Sequence, residues 1–369
     1  MKTIPICNLR FEICNPRRRR GFTLVELLVV ITIIALLAAV VLGALAKTRE
    51  VARLDATKAP IAKLDGLVMQ RYQSYLTRRI PLNLNSINPP PSQKQFATLR
   101  MQALRDLMRM EMPERWCDIT TSPGTTTGKA VGPTGTMDSS LLSPSLQQIY
   151  LTKYNNPTAY GMKTPAADHQ QAKCLYLWVM SSIPEAKTMF SGSEVADVDG
   201  DGWKVFIDGW GNPIGFLRWA PGATVVMNAT GAPVAGNTGW SDVQIDDTSG
   251  NNFHHDPFDP NFIENKQSGS PYPNAAYHLY PLIFAGVLGK VTTSTGTFDD
   301  YGIVLGNKSV TNDPRDASVT APTVDPYNTP YAGSPGPPPV PPIGAIMLLT
   351  GGQPAGSAPL VHNQHMEQK

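Results

Sequence analysis

The sequence predicts an α+β protein, in which one long N-terminal helix leads into a globular body with a small antiparallel β-sheet and long loops. Three observations predict it. An apolar run extends from Phe22 to Ala46 and holds a single ionisable residue, Glu26. Apolar residues then recur at roughly helical spacing as far as Tyr75, which continues the same helix as an amphipathic one. Much farther on, two short β-prone runs flank a dense cluster of turn residues at Asp208–Pro213. Composition agrees with this outline. Pro (34) and Gly (31) are abundant and charged residues are only 16%, so a loop-rich body is expected, while 41% hydrophobic residues permit a core.

As a helix, Phe22–Ala46 would reach about 37 Å, enough to cross a hydrocarbon layer of about 30 Å. Arg17, Arg18, Arg19 and Arg20 stand directly before Gly21, with Lys2 and Arg10 farther upstream. The formal net charge is +2, and because the leader holds this excess, the remainder is slightly acidic. That distribution argues against a nucleic-acid-binding domain. It fits a cytoplasmic stop beside a membrane helix. A secretory signal peptide would explain the charges, and Ala44-Leu45-Ala46 has the small-x-small form of a cleavage site. Its apolar core would however be about 7–15 residues, shorter than this run. A plain membrane anchor explains the length but leaves Glu26, a costly carboxylate in an apolar helix, unexplained.

The stretch Arg20-Gly21-Phe22-Thr23-Leu24-Val25-Glu26-Leu27-Leu28 resembles the N-terminal signature of type IV prepilins and of the pseudopilins of type II secretion. The resemblance implies a leader, 1–21, cut after Gly21 by a membrane-embedded aspartyl peptidase. Phe22 would then be the N-methylated mature terminus. Glu26 would pair with the N-terminal ammonium of a neighbouring subunit. Glycine suits the cut because its backbone can enter a narrow active site. The leader is long for the family, consistent with a translation start downstream of Met1. The implied fold is pilin-like. Residues 22–46 would be the transmembrane and filament-core helix, and 47–80 its amphipathic continuation, packed on the body.

In that continuation Val51, Leu54, Ile61, Leu64, Leu67 and Val68 mark the apolar side, and Pro60 is expected to kink or locally melt the helix. Pro81–Ser92 reads as a linker. Gln93–Met110 reads as a second amphipathic helix, with Phe96, Leu99, Leu104, Leu107 and Met108 as its core side and Arg100, Arg105 and Arg109 as a solvated face. Thr120–Ser145 has loop composition. Ala172–Ile183 reads as a short buried helix carrying Cys174 and Trp178 inward. Cys117 and Cys174 could form one disulfide in an exported body or remain two thiols. Tyr280–Leu288 and Tyr301–Leu305 read as strands, and Ala345–Leu349 as a short edge strand. The body is assigned to 93–320. The segment 321–369 is Pro-rich and expected to be poorly ordered.

Asp197, Asp199, Asp201 and Gly202 occupy positions 1, 3, 5 and 6 of an Asp-x-Asp-x-Asp-Gly calcium loop, and Asp208 falls at position 12. Alternating oxygen ligands can wrap a large cation. Position 12 is Asp rather than Glu and no strong helix pattern flanks the loop, so an ordinary EF-hand is not expected and a metal-free acidic turn is the leading alternative to a bound cation. Trp203–Ile207 and Ile214–Trp219 read as a hairpin. The turn Asp208-Gly209-Trp210-Gly211-Asn212-Pro213 resembles the Asp-Pro-Trp-Gly-Asn-Pro turn of major type II pseudopilins, with Gly209 in place of the first proline. Those proteins carry a structural calcium near the sheet, so the resemblance implies Ca2+ as the one cofactor to expect here. Asp242–Asp259, with His254, His255 and Asp256, reads as a polar surface loop.

There is no Gly-x-Ser-x-Gly elbow, Walker loop, His-Glu-x-x-His, Cys-x-x-Cys or dinucleotide fingerprint. The expectation is therefore a structural subunit, not an enzyme. The resemblance implies as partners other pilin subunits, the prepilin peptidase and an inner-membrane assembly platform. It places the precursor across the inner membrane, leader in the cytoplasm and body in the periplasm. Two alternatives of other classes remain. One is a membrane-anchored periplasmic enzyme. The other is a surface-binding protein using Trp203, Trp210, Trp219 and Trp240 as stacking platforms.

Overall fold

A computed structural model describes residues 23–80, 92–120, 143–165, 169–220, 224–227, 233–238, 258, 280–285, 291–293, 296–298, 346–349 and 361–363. The chain divides into two units at Val51/Ala52. The class expected from the sequence is the one observed. A long apolar N-terminal helix precedes a globular region with small, mainly antiparallel sheets, and the fold is α+β and pilin-like.

Helix α1 runs from Leu24 to Thr77. It is the one helix among the described residues long and apolar enough to cross a membrane. In the first unit its side chains are exposed, among them Leu24, Ile33, Leu36 and Val40. In the second unit a seam is buried: Thr57, Pro60, Ile61, Leu64, Leu67, Val68, Tyr72 and Tyr75. The steps of three and four between them are those of one helix face. The seam starts later than the sequence reading placed it, for Val51 is exposed. Pro60 does not melt the helix. It removes one backbone donor, a loss of roughly 3 kcal/mol in a helix interior. Ile61, Leu64 and Val68, each worth about 1.5–3 kcal/mol when buried, hold the helix together past it.

Helix α2 (Gln93–Glu111) opens with a capping box: Ser92 N donates to Gln95 Oε1 at 2.9 Å, and Gln95 N donates to Ser92 Oγ. It ends against α3 (Trp116–Thr120). Helices α4 (Ser145–Asn155) and α5 (Gln170–Ser182) follow, with a 3-10 turn at Pro157–Tyr160 between them, and then the short α6 (Ala186–Met189). The buried helix expected around Cys174 and Trp178 is α5, and both side chains are fully buried.

Strand β3 (Gly215–Ala220) and strand β10 (Val361–His362) flank β6 (Tyr280–Ala285), all antiparallel. A two-stranded piece pairs β1 (Val195–Ala196) with β2 (Val205–Phe206). A second three-stranded sheet has the order β5 (Pro233–Thr238), β4 (Thr224–Met227), β9 (Ile346–Leu349). Its β4–β9 pairing is parallel. Strands β7 (Val291–Thr293) and β8 (Gly296–Phe298) form a small hairpin. The expected strands at Tyr280 and Ala345 are thus β6 and the edge strand β9, while the one at Tyr301–Leu305 lies outside the described residues. So do the Pro81 linker up to residue 91, residues 121–142 of the Thr120 loop, the Pro-rich stretch 321–342 and all of the Asp242–Asp259 loop except Phe258. β9 and β10 both come from the segment 321–369. One core joins α1, α2, α5 and the β3–β6 pair through Leu64, Leu104, Trp178, Phe216 and Ile283.

The basic face expected on α2 is corrected. Arg105 and Arg109 are buried, and Phe96, placed on the core side, is 38% exposed. The charges can be buried because acids follow in the next turns. Arg109 Nη2 donates to Asp118 Oδ1 at 2.9 Å. Arg218, fully buried on β3, reaches Asp118 Oδ2 at 3.4 Å and Glu114 Oε1 at 3.6 Å, and its Nη1 donates to the Met112 carbonyl at 2.6 Å. Burial alone would raise the Asp118 carboxyl; the guanidinium groups of Arg218, Arg109 and Arg115, with the Glu114 N–H, hold it well below the usual carboxylate range. A second buried acid, Glu111, ties α2 to the end of α1. It accepts from Arg71 and from the Tyr75 hydroxyl, each at 2.7 Å, and from Arg78.

Candidate functional site

Gly21 and Phe22 lie outside the described residues. Glu26 is described, in the first turn of α1. The carboxylate does not stand alone. Its Oε2 accepts from Thr23 N at 2.8 Å and from Thr23 Oγ1 at 3.0 Å, and Glu26 N donates back to Thr23 Oγ1 at 3.2 Å. Thr23 therefore caps α1, and Glu26 sits three residues later, the reciprocal pattern of a capping box. Two polar groups that would be costly in lipid satisfy each other within one turn. The Glu26 side chain also lies at the positive end of the helix dipole. The Thr-x-x-Glu spacing of Thr23 and Glu26 is the sequence signal for this box. Beyond Glu26 the next ionisable residue of α1 is Lys47. The surface between them is built of Leu, Val, Ile and Ala with one Thr and one Gly, and Leu28, Ile31, Ile34 and Leu42 are all exposed.

The aspartate loop is the second candidate. The ligand atoms of Asp197, Asp199 and Asp201 lie within 4.8 Å of one another, as the alternate spacing expects. Asp208 does not join them. It closes the following turn instead: Oδ1 accepts from Trp210 N and Asn212 N, both at 2.8 Å, and Oδ2 accepts from Asn212 Nδ2 at 3.2 Å. Its position twelve residues into the loop is met by a hairpin bend rather than by a ligand-bearing helix. Two of the three remaining acids meet a cation of the chain itself. Lys173, on α5, places Nζ 2.6 Å from Asp199 Oδ2 and 2.5 Å from Asp201 Oδ2. Burial would lower the Lys173 ammonium, but the hydrogen bonds and charges of Asp199 and Asp201 hold it above the ordinary lysine value. Burial likewise works to raise Asp199, and Lys173 holds it down. Asp197 spends both oxygens on the backbone, accepting from Asp201 N at 3.1 Å and Gly202 N at 2.9 Å. Calcium takes six to eight oxygens, and these three carboxylates would supply part of such a set. One expected ligand is elsewhere and an ammonium holds two of the others.

Gly202 takes φ +86, and a Cβ there would stand 2.6 Å from the Gly161 carbonyl oxygen, so position 6 does require glycine. Lys163 N donates to the Asp201 carbonyl at 2.7 Å, and the Trp203 indole N–H donates to the Lys163 carbonyl at 2.9 Å. The loop is thereby fastened to the segment after the 3-10 turn. Trp203 is buried and its ring centroid lies 5.0 Å from that of Trp116. That removes it from the set of exposed stacking platforms. Trp219 is half-buried under the Arg218 guanidinium, and Trp240 lies outside the described residues. Cys174 is buried in α5, and the Cys117 side chain lies outside the described residues.

The expected hairpin forms only at its bend. Ile214 N donates to the Phe206 carbonyl at 2.8 Å and Ile207 bridges Pro213. Beyond that the arms part, β2 to β1 and β3 to β6. The bend rests on α1. Gly209 N donates to Thr57 Oγ1 at 2.9 Å, and a Cβ on Gly209 would overlap the Arg53 carbonyl. Proline at this position would lack the donor and collide. The C-terminal strand is tied to α1 as well: Asn363 Nδ2 donates to Asp65 Oδ1 at 2.8 Å, while Ile283 N donates to Asn363 Oδ1 at 2.6 Å.

Residues 16–42 match the family model described as the prokaryotic N-terminal methylation motif. That match covers Gly21, Phe22, Thr23 and Glu26 together with most of the exposed apolar half of α1. No curated protein and no solved structure matches the chain. The chain thus carries the prepilin-type motif, which supports a type IV pilin or pseudopilin class and favours a structural subunit over an enzyme. The motif and the exposed apolar helix together fit a membrane-anchored precursor.

Proposed function

We propose that the protein is the subunit of a type IV pilus-like or type II secretion pseudopilus filament. The peptidase cuts after Gly21 and Phe22 becomes the methylated terminus. The single observation that carries this reading is the match of residues 16–42 to the methylation motif, on a helix whose apolar side chains from Leu24 to Leu45 are exposed. Such a surface is stable only in lipid or against other apolar helices. Within this proposal the helix uses both in turn. The precursor holds residues 22–46 in the inner membrane, with the leader cytoplasmic and the body outside. An assembly platform then transfers the helix into a bundle of sibling helices.

Glu26 has a distinct part at each stage. In the isolated subunit it caps its own helix through Thr23. In the filament it takes the N-terminal ammonium of a neighbouring Phe22, a charge-assisted bond made in a low dielectric where such bonds count for more. Glu26→Ala tests this. The variant is expected to insert in the membrane with its body folded, and to yield no filament in shear fractions or electron micrographs. Filaments at the wild-type level from that variant would overturn the proposal.

A further inference from the structure

The loop Asp197–Gly202 has the sequence of a cation loop and three carboxylates drawn within 4.8 Å. Like charges at that distance repel, and a positive charge among them offsets the repulsion. That charge comes from outside the loop. The Lys173 side chain is 1% exposed and bonds to two of the three acids. It is set in place by α5, whose neighbouring residues Cys174, Leu175 and Trp178 are fully buried. An ammonium is a compact point charge with three donors, well suited to bridge two carboxylates. A divalent ion seated on the same oxygens would lie against that ammonium. Lys173 would have to give up both partners and remain, charged, in the core. The residue that the spacing offers as a twelfth-position ligand, Asp208, is committed to its own turn.

We propose that Lys173 is the resident cation of this loop: a tethered ammonium takes the place that a structural divalent ion would hold, and the loop is ordered by α5 without metal. The consequence is a loop whose order follows the packing of the body rather than the calcium concentration outside the cell. The proposal is independent of the filament reading, since it concerns the body alone.

The test uses the full chain in detergent. Thermal unfolding is followed in excess EDTA, in millimolar calcium, and in neither. The wild type is expected to melt at one temperature in all three. Lys173→Met, which keeps the length and removes the charge, is expected to melt several degrees lower in EDTA, and Asp199→Asn added to it to recover part of that loss. A wild-type melting temperature that falls in EDTA and returns with calcium would overturn the proposal, as would a Lys173→Met chain that melts like the wild type. Should Lys173→Met fail to fold, the wild-type series alone decides between tethered and bound cation.

Discussion

The two halves of helix α1 share one backbone and meet opposite surroundings. From Leu24 to Leu45 the large side chains are exposed, Leu36 at 66% among them, whereas Leu64, Val68 and Tyr75 are at 0%. Their polar residues differ in the same way. In the first half Glu26 finds its partner one turn away, in Thr23. The second half has local pairs as well, such as Lys58 with Asp55, but it adds contacts that reach far along the chain: Thr57 to Gly209, Lys63 to Glu194 at 2.7 Å, Asp65 to Asn363, Arg71 to Glu111. A helix half that satisfies its polar groups internally can move from one apolar medium to another. A half bonded to distant strands and loops is fixed to its body. The difference separates the part of the helix that can be transferred from the part that carries the load.

If that division is right, the body's stability should reside in its buried ion network and seam, and the first half of α1 should contribute none of it. The largest effect is expected at Asp118. Replacing it with Ala leaves Arg109 and Arg218 buried without their shared acid, a loss of about 3–5 kcal/mol. Denaturant unfolding of the full chain in detergent measures it. A loss below 1 kcal/mol would show that the network does not hold the body. Next comes a matched pair on the helix itself. Leu64→Ala opens a cavity in the core and should cost about 2–5 kcal/mol. Leu36→Ala should leave the same unfolding curve unchanged and weaken assembly instead. Equal effects of the two on unfolding would erase the comparison.

How far this was legible in the sequence follows the same line. The exposed half of α1 could be read from the sequence, because a long apolar helix asks only for length and apolarity, and the methylation motif is one contiguous stretch. The buried half could be read in its periodicity but not in its contacts. Nothing in the spacing of Arg109 tells that it will share Asp118 with Arg218, because Arg218 lies about a hundred residues away and pairing at that separation is set by the fold. Lys173 did leave a signal, a lone cation in the otherwise apolar run Ala172–Val179, but its acids are on another element. Asp208 illustrates the same point within one loop. Its spacing matches a helix-flanked calcium loop, whereas Gly209, Gly211 and Pro213 bend the chain into a turn that uses the carboxylate first.

The central claim is that the exposed half of α1 begins a processed filament subunit, and the mature N-terminus tests it most directly. Intact-mass and N-terminal peptide analysis of the protein from cells that make it should find Phe22 as the first residue, carrying one methyl group. A chain still bearing Arg17–Gly21, or one that begins just after Ala46 as a cleaved signal peptide would leave it, would contradict the account.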